Sequence, residues 1–524
     1  MPVVLVGPPG VGKSAVGRAL AEALGRPFVD TDAAIEADSG LSVAELWARE
    51  GEAAFRAREA RLMANLPDDV VVASGGGTLT APGVEALLAS GAWRVVALEA
   101  PVEVLLERVG RRPGERPLLA ASPERRLSAL MAERRPLYAR AEARFPAVRS
   151  PRRVAAEIAR YLALSPVPGE VVGRGALAFL RPLLAGRPLL VTEPRVDRLH
   201  GPRLRAALGR ERLGTVRMPE GERAKRMEAV VRAARVALAR GADRDSVFVA
   251  AGGGALGDSA GLLAALYMRG VRWAVVPTTL LAMVDASLGG KVAVDLPEGK
   301  NLLGAFHPPA ASVVDTAFLA TLDGARWREG MAESVKAGIL GDGDLLERLA
   351  SATVGPETDD LDEVVRRARA VKRKRVEADP RESAGGVREH LNLGHTLGHA
   401  LETLSGHRLS HGDAVAIGTA AILRLAEELG LLPPREARPM WAALRRQGLP
   451  TEAPPWLDAS PAQAAAVMRR DKKARGGAVR LIVPRGVARV EAVAVEEPTL
   501  VRLAALAGLG GGAGPFLDTR GRGC

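Results

Sequence analysis

The chain has 524 residues, too many for one ordinary domain, with 47% hydrophobic and 26% charged side chains. That balance is ordinary for a globular protein and excludes a disordered or collagen-like one. The net charge is +12, yet only nine of the 73 basic residues are lysines, the arginines are spread along the whole length, and aromatics amount to 3%. The charge therefore reads as an arginine background, and no nucleic-acid partner is expected. The single cysteine, Cys524, can form no internal disulfide, and no apolar run reaches the roughly 20 residues of a membrane span. No charged leader precedes the first apolar strand, so a cytoplasmic protein without membrane association is expected.

In chain order, residues 2–6 (Pro-Val-Val-Leu-Val) read as a buried strand and residues 13–24 as a helix. Strands near 69–73 and 94–98 alternate with helical stretches, which predicts a parallel sheet. A helix over 152–163 runs into Leu164-Ser165-Pro166-Val167-Pro168-Gly169, the best boundary in the chain. A second α/β pattern follows, with strands near 188–192, 246–250 and 273–277, and the text turns mainly helical from about 325 to 470. Residues 508–524 are rich in glycine and arginine without periodicity and read as a disordered tail. The expected division is 1–164, then a two-part unit of 168–324 and 325–507, then the tail.

Gly7-Pro8-Pro9-Gly10-Val11-Gly12-Lys13-Ser14 has the P-loop pattern, with a strand before it and a helix after. Backbone N–H groups at that helix start can wrap phosphates, Lys13 can reach the β/γ-phosphates, and the Ser14 hydroxyl can ligate Mg²⁺. A plain glycine turn does not explain the full pattern. Asp30-Thr31-Asp32 follows the apolar step Phe28-Val29, so it belongs at the carboxyl end of a strand. One carboxylate there can hold the Mg²⁺ through water and the other can accept a hydrogen bond from a substrate hydroxyl. A helix N-cap accounts for one aspartate but not both.

With Phe55-Arg56, Gly75-Gly76-Gly77, Arg116-Pro117-Leu118-Leu119 and Arg134-Arg135-Pro136-Leu137-Tyr138, residues 1 to about 163 resemble shikimate kinase. Nucleoside monophosphate and gluconate kinases share the core, but the Arg-x-Pro-Leu-Tyr ending favours shikimate. The resemblance implies ATP–Mg²⁺ on Gly10, Gly12, Lys13 and Ser14, with Asp30 positioning a Mg²⁺ water. It implies shikimate on Asp32, Arg56, Gly76, Gly77 and Arg134, and catalytic roles for Lys13, Asp32 and Arg116, the last on a lid over roughly 110–122.

Further along, the strand text at 246–251 enters Gly252-Gly253-Gly254-Ala255-Leu256-Gly257-Asp258, a loose dinucleotide fingerprint that a plain βα turn could equally supply. Five of the seven histidines fall between His390 and His411. His395 and His399 stand four apart and share a helix face, with His411 beside Gly412-Asp413, so a metal outweighs isolated core histidines. The glutamate of zincin proteases is missing beside His395, and Glu333 is a candidate carboxylate ligand. Arg269, Lys291, Lys300, Lys336 and Lys372 recur at apolar or glycine-rich steps, which suggests an anion pocket rather than a solvated face.

These motifs, with Pro219-Glu220-Gly221-Glu222, Pro277-Thr278-Thr279, Leu391-Asn392-Leu393-Gly394-His395 and Asp471-Lys472-Lys473, resemble 3-dehydroquinate synthase over roughly 168–505. The resemblance implies NAD on Glu222, Lys225, Gly253, Gly254, Asp258, Thr278, Thr279, Asp285, Lys291 and Lys300. It implies Zn²⁺ or Co²⁺ on Glu333, His395 and His411, which moves His399 out of the metal pair that helix spacing suggests. His399 then lies beside the substrate phosphate with Arg269, Lys291, Asn301 and Arg388. Lys336 and Lys372, with Asn392 and one of Lys472 or Lys473, line the carboxylate and hydroxyl side. Lys291, Lys336, Lys372 and His399 are the expected catalytic groups, and the implied reaction is cyclisation of 3-deoxy-D-arabino-heptulosonate 7-phosphate with loss of phosphate. The chain departs from that family at Thr192-Glu193-Pro194-Arg195-Val196, where Thr-Asp-x-Asn-Val is usual, and in a longer 381–388 segment.

The whole is expected to be an α/β protein: a P-loop kinase domain with a parallel sheet, then a Rossmann-like half and a mainly α-helical half. The expected function is a bifunctional enzyme of aromatic amino acid biosynthesis, a homodimer through its synthase unit. A metal-dependent polyol dehydrogenase fused to another small kinase, and a regulator with decayed sites, are the alternatives.

Overall fold

The computed structural model describes residues 1–110, 123–383, 385–473 and 479–510. Arg116 with its expected lid, the side chains of Lys472 and Lys473, and the expected tail beyond residue 510 lie outside the described residues. Two compact units emerge: Met1–Val171 with Ala176–Arg187 and Ala207–Arg210, and Val172–Gly175 with Pro188–Ala206 and the chain from Glu211 onward.

In the first unit, β1 (Val3–Val6), β2 (Phe28–Asp30), β3 (Val71–Ala73), β4 (Arg94–Glu99) and β5 (Ala143–Pro146) form a parallel sheet in the order β2-β3-β1-β4-β5. Every residue of the central strand β1 is buried, which is why its sequence is a continuous apolar run instead of an alternation. Val4 lies opposite Val72 on one side and Val95 on the other. Because β2, β3 and β1 are neighbours, the turns that leave their carboxyl ends, at 30–32, 74–77 and 7–13, meet at one edge of the sheet.

The second sheet is made of β6 (Glu170–Val172), β7 (Pro188–Thr192), β8 (Gly214–Arg217), β9 (Val247–Gly252) and β10 (Arg272–Pro277). An antiparallel hairpin of β11 (Lys291–Leu296) and β12 (Gly299–Phe306) precedes its last strand, β13 (Ala311–Val314). The order is β6-β13-β10-β9-β7-β8, so the glycine-rich turn after β9 sits in the middle of the sheet. Helices from Gly324–Gly341 to Pro461–Lys473 build the rest, as the 325–470 pattern predicts. A second hairpin joins β14 (Arg480–Gly486) and β15 (Arg489–Ala494).

Neither hairpin is an expectation of the sequence. β11 does alternate, with Val292 and Val294 buried between less buried neighbours, but β12 is exposed along most of its length and carries no two-residue period.

Candidate active sites

At the sheet edge of the first unit, Gly12 takes φ 98° and Lys13 opens the helix Lys13–Leu24, with Ser14 in its first turn. The Lys13 ammonium donates to the carbonyls of Gly7 at 2.9 Å and Pro8 at 3.3 Å, so it folds back over its own loop. Gly10 at φ 83° keeps that loop tight, in a backbone region that disfavours side chains.

Asp30 ends β2 and caps the helix Thr31–Ser39, accepting from the Ala33 N–H at 3.4 Å. The N-cap reading thus holds for Asp30 and leaves Asp32 turned toward the glycine loop. Asp32 Oδ1 and Glu59 Oε1 both crowd Gly75, where a Cβ would stand 2.5 Å and 2.6 Å from them. Burial pushes the Asp32 carboxyl up to about 6, with Lys13 pulling it down and Glu59 adding to the rise. Arg56 and Arg134 are both buried here. Arg134 donates to the Gly76 carbonyl, and the Arg56 guanidinium fills the space a side chain at Gly77 would need. Two buried guanidiniums, a neutralisable carboxyl and a phosphate-type cradle therefore share one edge.

In the second unit β9 runs on through Gly252, and Gly253 precedes the helix Gly254–Leu266. The Thr278 N–H donates to the Gly252 carbonyl at 2.9 Å, and Thr279 Oγ1 accepts from the Ala282 N–H at 3.2 Å. A cleft there is lined by Gly253, Gly254, Asp258, Ala286 and Lys291 among others. Lys225 donates to Asp258 at 2.8 Å and to Asn301. Burial raises the Asp258 carboxyl, against the opposing pull of Lys225. Lys372 stands 2.7 Å from Asp285 Oδ1; burial pushes that carboxyl up, but Lys372 and Lys336 outweigh it and hold it low.

Glu333, His395 and His411 place ligand atoms within 4.8 Å of one another. The Nε2 atoms of His395 and His411 lie 3.7 Å and 3.8 Å from Glu333 Oε1. That oxygen is buried without a hydrogen-bond partner, and an orphan acceptor facing two ring nitrogens suits a cation between them. The His395 Nδ1 atom is 3.1 Å from the Leu393 carbonyl, which leaves Nε2 as the free lone pair. Burial, then the Lys336 charge, lowers the His395 pKa well below its ordinary value and keeps the ring neutral. Lys336 itself pairs with Glu333 and donates to the Leu391 carbonyl at 2.8 Å.

His395 and His399 do share a helix face, with ring centroids 5.4 Å apart. Two three-residue groups place ligand atoms within 4.8 Å of one another: Glu333, His395 and His411, and His399, Glu402 and His411. The other expected residues are less gathered. Lys291 pairs with Glu382 of the 381–388 segment. Arg388 is buried and donates to the Pro380 carbonyl at 2.7 Å. Arg269 is exposed with φ 68°, Asn301 has φ 58°, and Asn392 ends the turn Val387–Asn392. Glu222 is close enough to raise Asp258, and Lys300 to lower Glu402. At the first departure, Glu193 accepts from the Gly221 N–H at 3.3 Å and the Arg195 N–H donates to Glu220 at 2.9 Å, so both engage the turn that carries Glu222.

Three residues that sequence reading passed over hold these sites together. Glu59 accepts from Arg56 and Thr78, each at 2.5 Å. Arg369, fully buried, donates to the Met283 carbonyl, to Ser287 at 2.8 Å and to Ser312 at 3.1 Å, tying down the turn that presents Asp285. Glu402 approaches His411. Helix spacing was the available signal for two of the three, since Glu59 follows Arg56 by one turn and Glu402 follows His399 by one turn.

The family model for shikimate kinase matches residues 9–163, and those for the N-terminal and C-terminal parts of 3-dehydroquinate synthase match 215–329 and 330–474. The 3-dehydroquinate synthase of Gloeobacter violaceus is 41% identical over 321 residues, covering 60% of this chain and 87% of that one. That of Synechococcus sp. is 43% identical over 313 residues, covering 58% and 83%. Among solved structures, the 2-epi-5-epi-valiolone synthase ValA of Streptomyces hygroscopicus, with NAD⁺ and Zn²⁺ bound, is 30% identical with TM-score 0.58, covering 65% of this chain and 96% of that one. These matches answer the polyol dehydrogenase alternative: the chain belongs to the 3-dehydroquinate synthase family and carries a shikimate kinase domain ahead of it, joining two enzymes of the shikimate pathway.

Proposed function

We propose that residues 1–164 transfer the ATP γ-phosphoryl group to shikimate, and that residues 168–507 cyclise 3-deoxy-D-arabino-heptulosonate 7-phosphate to 3-dehydroquinate. In the kinase reaction Arg56 and Arg134 take the shikimate carboxylate, Asp32 accepts the proton of the attacking hydroxyl, and Lys13 with the loop amides neutralises the phosphates. Ser14 and Asp30 would hold Mg²⁺, and Arg116, outside the described residues, would neutralise phosphate charge.

In the synthase reaction the glycine turn with Asp258, Lys225, Thr278 and Thr279 binds NAD⁺, and Glu333, His395 and His411 bind Zn²⁺ or Co²⁺. The nicotinamide supplies reversible hydride transfer and the metal supplies Lewis-acid polarisation. Arg269, Asn301, Arg388 and His399 receive the substrate phosphate, and Lys336 and Lys372 line the carboxylate and hydroxyl side. The observation that carries the synthase reading is the orphan Glu333 Oε1 facing two ring nitrogens. The bound NAD⁺ and Zn²⁺ of ValA support the same cofactors here.

We also propose a cytoplasmic homodimer formed through the synthase unit. The exposed Leu302, Leu303 and Phe306 of β12 support such a contact. Two separate assays test the function: the heptulosonate phosphate with catalytic NAD⁺ and Zn²⁺, and shikimate with ATP and Mg²⁺. Phosphate release without net NADH is expected in the first and ATP consumption in the second; silence in either overturns that half.

A further inference from the structure

The two histidines that face Glu333 are steadied differently. His395 opens the helix His395–Leu404 and turns its Nδ1 to a backbone carbonyl, that of Leu393, at 3.1 Å. His411 opens the next helix, His411–Glu428, and turns its Nδ1 to the Glu402 carboxylate at 3.4 Å, with its Nε2 3.8 Å from Glu333 Oε1. Glu402 projects from the same helix as His395, two turns further on, and is more buried than exposed.

We infer that Glu402 is the positioning residue for His411, resting on the metal reading above. A ring nitrogen binds metal only through a lone pair, so the proton of a neutral imidazole must sit on the other nitrogen. An Nδ1–H donated to Glu402 selects the tautomer with a free Nε2 and sets the ring plane toward Glu333 and His395. A carboxylate does this more strongly than a carbonyl, because the hydrogen bond is charge-assisted and raises the basicity of the opposite nitrogen. His411 stands at the start of its own helix, and its Nδ1 faces the Glu402 carboxylate where that of His395 faces the Leu393 carbonyl. The competing role, Glu402 as a ligand of a second ion with His399 and His411, would require His411 to give up Nδ1–H and bridge two cations as an imidazolate.

The test uses the full-length protein with Glu402→Gln and Glu402→Ala. Zn²⁺ affinity is measured by chelator competition, and the visible absorption of Co²⁺-loaded protein is recorded, with thermal unfolding as the folding control for the synthase unit and shikimate kinase activity as that for the first unit. Zn²⁺ affinity is expected to fall about 10–100-fold in Glu402→Ala and less in Glu402→Gln, which keeps an acceptor oxygen, with an altered Co²⁺ spectrum and unchanged kinase. Wild-type affinity and spectrum in both variants would overturn the inference. So would two Zn²⁺ equivalents in the wild type and one in Glu402→Ala. A His411→Ala control that keeps full Zn²⁺ affinity would instead sink the metal reading itself, whatever Glu402 does.

Discussion

Arg56 and Glu59 stand one helical turn apart, with Nη1 2.5 Å from Oε2, the carboxylate fully buried and the guanidinium nearly so. Glu59 also accepts from Thr78, at the edge of the glycine loop, so one carboxylate orients both a guanidinium and that loop. Removing it leaves the buried Arg56 guanidinium to the exposed Glu52 carboxylate, 3.0 Å away. Glu59→Ala is expected to destabilise the first unit by about 1–3 kcal/mol and to raise the shikimate KM more than it lowers kcat. Thermal unfolding and kinase kinetics together check this, and an unchanged KM would refute the orienting role.

The Asp32 carboxyl gives the kinase a pH signature. Burial lifts it from its ordinary 3.8 to about 6, so the native state binds this proton more tightly than the unfolded chain does. Its stabilising contribution is complete below the unfolded value and is lost as pH rises through about 6. Kinase activity should move the opposite way, rising through the same range as Asp32 becomes able to accept a proton. Asp32→Asn is expected to flatten the stability slope and to abolish the rising limb. Melting curves from about pH 3.5 to 8 and kcat/KM for shikimate from about pH 5 to 8 decide it.

The two chemistries should fail separately. Lys13→Ala is expected to lower kinase turnover by about a hundredfold or more and leave the synthase unchanged. His395→Ala, or a chelator selective for Zn²⁺ over Mg²⁺, should silence only the synthase, and added Zn²⁺ should restore the chelated protein but not the variant. Loss of both activities from any one of these changes would contradict independent sites.

Gly418, on the helix of His411, faces Gly394, the residue before His395, so closely that a Cβ would overlap its carbonyl. Their close approach brings the two histidine-bearing helices together. Gly418→Ala is expected to cost about 1–3 kcal/mol by overpacking and to weaken Zn²⁺ binding through a shift of His411 relative to His395. Metal affinity at wild-type level in a folded Gly418→Ala protein would show that the helix spacing does not set the site.

Much of this molecule is legible along the chain. The run Val3–Val6 is continuously apolar because the strand is covered on both faces, and the P-loop needs only a strand before it and a helix after it, all local properties. The lysines, rare against the arginines, mark several of the sites: Lys225, Lys336 and Lys372 each meet a carboxylate in the fold, of Asp258, Glu333 and Asp285. What sequence spacing could not show was the grouping of His411 and Glu333 with His395. Four-residue spacing pairs His395 with His399 on one face, and that proximity is real. It is the packing of the helix His411–Glu428 against its neighbours that turns His411 and Glu333 toward His395.

Most helices and the buried strands, with the chemical groups they carry, can be read along the chain, though neither hairpin can, because strand burial, helix periodicity and glycine turns depend on near neighbours. Only the tertiary structure decided which of those groups meet: Glu59 under Arg56 and Thr78, Arg369 beneath the turn of Asp285, Glu402 behind His411. A carboxylate is read as solvated surface until the fold removes its water, and its need for a partner appears only then.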